Sequence, residues 1–271
     1  MLKDTFNMLT TDKSYEKVSS ATDLGDFTEF TGTVAYDETY QGYDKKVEFP
    51  EYVKGIKIER KLYDDSKSTG YNIINQRPAS LGFAAVRTRE KRGVAVWNEA
   101  FTTAPSDGDA VCLCSSAHPS PSGGVNQSNA GSTAMSATAV ETTRRLMNAF
   151  KGQNSEEISV DMDCIACGIN LEETAYEIIN SKGKVDTANN NVNFHQGKYK
   201  LLVYKKFYSN AKDWFGIDYE LMKKVLIWWD RVGVEFFQDK DSDTLLAKYA
   251  AYMRYNWLWA DWRFCLGHNV A

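Results

Sequence analysis

Aromatic mass without reactive groups dominates the last third of this chain. Asp213-Trp214-Phe215-Gly216-Ile217-Asp218 leads through Trp228-Trp229 to Tyr252-Met253-Arg254-Tyr255 and closes at Asp261-Trp262-Arg263, so five of the seven tryptophans fall between Trp228 and Trp262. The segment holds one histidine, His268, with no nucleophile–base pair and no glycine-rich phosphate loop. Large rings seek a core or a subunit contact. Trp228, Trp229, Trp257, Trp259 and Trp262 therefore read as buried rather than as a sugar-stacking platform, and the segment points away from an enzyme.

A chain of 271 residues has room for one large domain or two moderate ones. With 43% hydrophobic and 25% charged residues it is a folding sequence, not a disordered one. Its net charge of −4 gives no general pull toward nucleic acid or an anionic membrane. No window approaches the roughly 18 consecutive apolar residues of a membrane span. The start, Met1-Leu2-Lys3-Asp4-Thr5-Phe6-Asn7, lacks the basic and apolar segments of a signal peptide. Five cysteines are an odd number without the spacing of a disulfide framework, so a reducing cytoplasm is expected.

Residues 1–32 are polar, with isolated apolar anchors at Phe6, Leu9, Tyr15, Leu24, Phe27 and Phe30; the spacing suggests an extended arm that lies on another surface. Thr31 to Val34 begin a β-prone stretch, Tyr36 to Tyr43 make a polar tip, and alternation resumes with Val47, Phe49, Val53, Ile56, Ile58 and Leu62. Two extended runs around a turn predict a long hairpin over Thr33–Asp65. Of its 33 residues 14 are charged, 8 acidic and 6 basic, too few apolar groups for a core of its own. The spacing of Leu81, Ala84, Ala85, Thr88, Val94, Ala95, Trp97 and Phe101 predicts a helix within 66–101, which Pro78 either opens or kinks. Arg87-Thr88-Arg89-Glu90-Lys91-Arg92 then reads as a solvated helix face.

Beyond the turn at Pro105-Ser106-Asp107-Gly108, the expected elements are a strand over Ala110–Leu113, a loop over Ser115–Ser132 and a helix over Thr138–Phe150. A strand (Met162–Cys167), a helix (Leu171–Ile179) and a strand (Lys200–Tyr204) alternate as in an α/β unit. Val225–Phe237 and Leu245–Trp262 read as strands.

The nearest approach to a metal site is Cys164-Ile165-Ala166-Cys167 with Cys112, Cys114 and His118 upstream. However, Cys164 and Cys167 stand in an apolar run that reads as buried strand, and no glutamate follows His118 as a zinc deaminase requires. His118, His195 and His268 are too scattered for acid–base chemistry and read as hydrogen-bonded structural residues. Asp239-Lys240-Asp241-Ser242-Asp243 lacks the glycine and distal glutamate of a calcium loop and reads as a solvated turn. No catalytic, cofactor-binding or metal residue is assigned.

One ordered series carries a family resemblance. Ile58-Glu59-Arg60-Lys61-Leu62-Tyr63-Asp64-Asp65 precedes a helix ending Trp97-Asn98-Glu99-Ala100-Phe101, followed by Ser106-Asp107-Gly108 and Ser116-Ala117-His118. Thr187-Ala188-Asn189-Asn190-Asn191-Val192-Asn193, Asp213-Trp214-Phe215 and Asp261-Trp262-Arg263 complete it. The series resembles the major head subunit of Mu-like bacteriophages and prophages, over nearly the whole chain. The resemblance implies the α+β Hong Kong ninety-seven fold of tailed-phage major capsid proteins, which maps onto an N-terminal arm (1–32), an extended loop (33–65), a peripheral domain with a spine helix (66–107 and 240–271) and an axial domain (108–239). Relatives often carry a cleaved N-terminal scaffolding segment; this chain enters the arm directly, so scaffolding is expected from another protein or from a segment already removed.

The expected function is a non-enzymatic subunit that assembles into hexamers and pentamers of an icosahedral virion head, made in the host cytoplasm and enclosing double-stranded DNA without sequence-specific binding. Scaffolding, portal and decoration proteins are the further partners implied. The assembly contacts are assigned to Tyr43, Lys45, Lys46, Val47, Phe49, Val53, Ile56 and Ile58, with Lys45 and Lys46 forming ion pairs near the hairpin tip. Two other readings are a cellular nanocompartment shell of the same fold and an aromatic-rich carbohydrate-binding module.

Overall fold

The computed structural model describes residues 2–21, 27, 29–30, 32, 34, 36, 41–65, 73–121, 124–153, 155–183, 191–241 and 243–271. Leu24, Thr31, Thr33, residues 37–40 of the expected tip, residues 66–72 and residues 187–190 lie outside them. In chain order the elements are α1 (Leu2–Thr5), β1 (Asn7–Thr10), β2 (Tyr15–Ala21), β3 (Gln41–Glu48), β4 (Glu51–Glu59), α2 (Arg60–Asp65), α3 (Ile73–Asn98), β5 (Ala130–Gly131), α4 (Ala137–Asn148), β6 (Cys164–Gly168), α5 (Glu172–Asn180), β7 (Lys200–Tyr204), β8 (Trp214–Ile217), α6 (Tyr219–Val225), β9 (Leu226–Asp241), β10 (Leu246–Trp259) and β11 (Cys265–His268).

Two sheets share the aromatic residues. One is four-stranded in the order β1-β9-β10-β4, with β1 parallel to β9 and the other pairs antiparallel. The second is five-stranded in the order β5-β11-β8-β6-β7. Within it β6 and β7 run parallel with α5 between them, the helical crossover that parallel neighbours require. Helix α4 opens on Ser136, whose side chain accepts from Ala139 N at 3.1 Å. Its Thr143 reaches the second sheet at His268.

Helix α3 lies against the first sheet and contains Pro78 within its first turns. Leu81, Ala85, Val94 and Trp97 are buried. The basic cluster does not form one solvated face: Arg87 and Lys91 are exposed, but Arg89 and Arg92 turn inward. Arg89 bonds Asp230 at 2.8 Å and lies 5.4 and 5.1 Å from the rings of Trp228 and Tyr255; Arg92 bonds Asn256 and faces Trp257 at 4.8 Å. A guanidinium is weakly hydrated and stacks on aromatic rings, so an aromatic sheet draws it in.

The first residues are part of the body, not an arm. Phe6 is 1% exposed and meets Trp228 edge-on at 5.4 Å. Leu2 sits at Gly93 of α3, where a Cβ would collide with it. Lys223 Nζ donates to Phe6 O at 2.7 Å, and Thr5 hydrogen-bonds Tyr204 at 2.8 Å. Leu9, Tyr15, Phe27 and Phe30 are exposed.

The hairpin also differs from its expectation. Strand β3 pairs antiparallel with β2, in register Tyr15↔Glu48 to Ser19↔Asp44, and Gln41–Tyr43 belong to the strand rather than to a tip. Strand β4 leaves the hairpin and pairs with β10 along its whole length. Alternation identifies a strand but not its partner. Elsewhere, Ala110–Leu113 is not a strand; Leu113 is buried and Ala110 has φ +53°. Asp239–Asp241 continue β9 instead of turning. Sheet membership also crosses the expected domain limits, because residues 226–239 join β10 in the first sheet and Cys265–His268 joins the second.

Candidate assembly surface

The root of the hairpin follows from the two-residue period of β3. Lys45 and Val47, continued by Phe49, point inward, while Lys46 and Glu48 point out. Val47 and Phe49 are 4% and 3% exposed and pack with Trp229 and Leu258. Ile58 on β4 is buried as well. These three side chains are thus covered by their own chain and need no neighbour.

Lys45, expected near an exposed tip, is also buried. Its Nζ lies 3.0 Å from the centre of the Trp259 ring and 3.7 Å from Asp109 Oδ1. Burial pushes its ammonium down to about 8, against the opposing pull of Asp109, Asp261 and Asp107. Burial alone would raise the Asp109 carboxyl, yet the hydrogen bond with His118 and the Lys45 charge hold it below the usual range. Asp109 Oδ2 is 2.9 Å from His118 Nδ1, and His118 Nε2 is 3.0 Å from Asn129 Oδ1. Asn129 Nδ2 donates to Leu113 O and Cys265 O, so its Oδ1 faces His118 as an acceptor and His118 Nε2 carries a hydrogen. The imidazole stacks on Trp262 at 4.3 Å. The chain of contacts therefore runs from the hairpin through the 107–118 loop to β11.

The remaining candidate ligands are each engaged in packing. His268 stacks on Trp214 at 4.2 Å, donates from Nε2 to Thr143 Oγ1 at 2.8 Å, and accepts from Thr133 N; burial pushes it down to about 4. His195 meets Tyr199 OH at 3.3 Å. Cys164 and Cys167 are buried in β6, where loss of solvent pushes both thiols up to about 12. Cys114 Sγ lies 3.9 Å from Cys265 Sγ, and Cys112 is bonded to Phe101 O. Among the described residues no three His, Cys, Asp or Glu side chains converge as a metal cage. Trp228, Trp229, Trp259 and Trp262 are at most 6% exposed and Trp257 is half-buried, so these rings pack in the core.

The chain thus folds as a core around two sheets, with a long helix on one and the paired β2–β3 ribbon leaving it. The family profile described as phage capsid protein matches residues 42–266. The chain belongs to that family. Solved structures give the same fold, with the Hong Kong ninety-seven architecture. The capsid of the cyanophage P-SCSP1u matches with a TM-score of 0.63 at 10% identity, covering 100% of this chain and 88% of that one. The mature capsid of bacteriophage PhiM1 matches with a TM-score of 0.59 at 8% identity, over 100% and 87% of the two chains. The capsid of bacteriophage JBD30 decorated with minor capsid protein trimers matches at 0.59 and 10% identity, over 76% and 90%. No curated protein sequence matches the chain. The chain is thus a phage capsid protein by family, with the fold of the solved phage capsids.

On this capsid protein the outward part of the hairpin and the free faces of the first sheet remain open. Tyr43 is half-buried, and Lys46 is exposed, paired with Glu48 at 2.6 Å and placed 4.5 Å over the Tyr15 ring. Val53 is 66% exposed on the face of β4 that also carries Gly55; Ile56 is half-buried on the opposite face with Ile58. The pairing register sets Gly55 and Phe237 on either side of Ala250, so Val53 and the exposed Phe237 share one apolar face. The exposed face of α3 adds Phe83 and Val86. Sequence reasoning missed Phe237, Phe83 and Val86 because they stand within segments assigned to the core. Strict alternation through Phe236-Phe237 was the available signal, since one of two successive strand residues must face away.

Proposed function

We propose that this capsid protein closes its shell through the outward hairpin and the exposed apolar face of the first sheet. Tyr43, Lys46, Val53 and Ile56 serve as contacts, while Lys45, Val47, Phe49 and Ile58 hold the hairpin and sheet in shape. The observation that carries this reading is apolar exposure on the folded subunit: Val53, Phe83, Val86 and Phe237 on the body, and Phe27, Phe30 and Tyr36 along the hairpin segment, are all more than half exposed. Exposure of several large apolar side chains on a folded subunit supports an interface. Each large side chain covered in assembly contributes roughly 1.5–3 kcal/mol. Ion pairs of exposed groups such as Lys46 contribute only about 0–1 kcal/mol each.

In this reading the first sheet with α3 is the peripheral domain, the second sheet is the axial domain, and the hairpin is the extended loop. Subunits form hexamers and pentamers, assembled in the host cytoplasm with scaffolding and portal proteins, and decoration proteins can seat on the outer face. The head encloses double-stranded DNA without sequence-specific contacts, in keeping with a net charge of −4. The packing roles of the histidines and cysteines support a subunit without catalytic activity.

The test is electron microscopy and sedimentation of the expressed protein, with nuclease-protected nucleic acid measured in the particles. Closed shells or capsomers, with protected DNA when the phage's packaging proteins are present, are the expected result. A single monomeric species at tens of micromolar with scaffold present sinks the reading, and an enclosed enzyme in place of DNA replaces it with a nanocompartment.

A further inference from the structure

The hairpin is held at its root far more firmly than a projecting ribbon needs to be, and the hold stops at a definite place. The 107–109 segment wraps β3. Gly108 N donates to Asp44 O at 3.0 Å, and Lys46 N donates to Asp107 Oδ2 at 2.5 Å. Gly108, at φ +75°, has no room for a Cβ because the Lys45 stem fills that space. Lys45 ends between Trp259 and Asp109, and Asp109 continues through His118 and Asn129 to the backbone of β11. Val47 adds an apolar anchor one pleat further on. Across the ribbon, Lys17 pairs with Asp44 at 2.6 Å.

Two residues away the character changes. The β2–β3 register shifts between Ser19 and Ala21: β3 places two residues, Gly42 and Tyr43, where β2 has only Ser20, so the extra residue belongs to β3. Ser20 Oγ donates across the ribbon to Tyr43 O at 3.2 Å. Gly42 faces it so closely that a Cβ there would run into Ser20 Oγ. A bulge bends a ribbon and breaks its ladder locally, and a glycine within it removes the side chain that would resist bending.

We propose that Lys45 is the buried bolt of a latch that fixes the hairpin root to the body, and that the hairpin bends at the Ser20–Gly42 bulge rather than where it leaves the body. The bulge then lets the direction of the ribbon differ between copies of the subunit in a curved shell. The root keeps one orientation in every copy.

Hydrogen–deuterium exchange on the full-length protein tests this, and its readout on unassembled subunits is independent of shell formation. In the wild type, amides of Lys45–Glu48 and Tyr15–Val18 should exchange at least about tenfold more slowly than those of Ser20–Ala21 and Gln41–Gly42. Lys45→Met keeps the stem and removes the charge. It should raise root exchange to the level of the bulge while leaving β9 and β10 protected. Should Lys45→Met fail to fold, Asp107→Ala removes the Lys46 contact from a half-buried site and should raise root exchange in part. Gly42→Val drives a side chain into Ser20 and should raise exchange at Ser20–Ala21 and Gln41–Gly42 while Lys45–Glu48 stay protected; a root that loosens with it counts against a bend confined to the bulge. Equal exchange at root and bulge in the wild type, or a root unaffected by both root variants, overturns the latch.

Discussion

At the scale of single residues, this protein uses buried titratable groups as wedges in an aromatic core. His268 is the plainest case. Stacked on Trp214 and bonded to Thr143 and Thr133, it has nowhere to place a second proton, and burial holds its pKa at about 4 against an ordinary 6.5. A group whose folded pKa is depressed in this way, when its charged form is the protonated one, favours unfolding as pH drops, because only the unfolded chain takes up the proton. Stability should therefore fall between about pH 6.5 and 4 and level off, for this group, below that. The denaturant midpoint followed over that window, compared with His268→Gln, should show a shallower fall in the variant. Glu141 acts in a lower window. Its bonds from Arg144 hold its carboxyl at about 2, so its contribution is lost as pH falls through 4.5 toward 2. The thiols give a second prediction. Cys114, Cys164, Cys167 and Cys265 are buried and Cys112 is not fully so. A thiol reagent should titrate about one cysteine in the native protein and five after denaturation, and elemental analysis should find no stoichiometric zinc. Four or five fast thiols, or about one zinc per chain, contradict this packing.

Elements differ in how much of themselves they announce. Strands β9 and β10, helix α4 and the β6–α5–β7 unit stand in the sequence almost where they stand in the structure, because their apolar periods are long and uninterrupted. The hairpin was half legible. The alternation of Val47, Phe49, Val53, Ile56 and Ile58 gave two strands correctly, but one of them pairs with Tyr15–Ala21 and the other with β10. Tyr15–Ala21 offers only Tyr15 and Val18 as large apolar residues, too weak a signal to claim a partner. Lys45 was misplaced for a related reason. A lysine is rarely buried, so its type outweighed its parity with Val47 and Phe49, and the parity was right. The prediction at this scale concerns the outward part of the hairpin. Replacing residues 22–40 by a short Gly-Asn turn that joins Ala21 to Gln41 leaves the root latch and every buried contact of β3 intact. Circular dichroism should report a folded subunit, while negative-stain microscopy of the same sample should show no normal heads. Normal heads of normal stability would mean that the outer hairpin is ornament.

For the whole molecule, composition and charge excluded more than they identified, and the family signal lay in an ordered series of short motifs spread along the chain. What no local pattern could show is how the two sheets draw on distant segments. The N-terminal strand β1 lies on β9, β4 lies on β10, and β11 crosses back into the second sheet beside β8. Membership of the two sheets is therefore a matter of pairing, not of contiguous sequence.

The placement of β4 and β1 against strands that begin 195 and 219 residues later in the chain has a consequence for how the protein is made. While the ribosome is still synthesising the middle of the chain, Phe6, Tyr52 and Ile58 have no partner, because Trp228, Tyr255 and Ala247 do not yet exist. Closing loops of that length before any contact rewards them makes folding slow, and it leaves unpaired strands exposed meanwhile. In a cell translating many copies at once, those strands meet other nascent chains before they meet their own ends. The period in which these strands stand unpaired is thus set by where β4 and β1 find their partners, and it falls before the first shell contact forms.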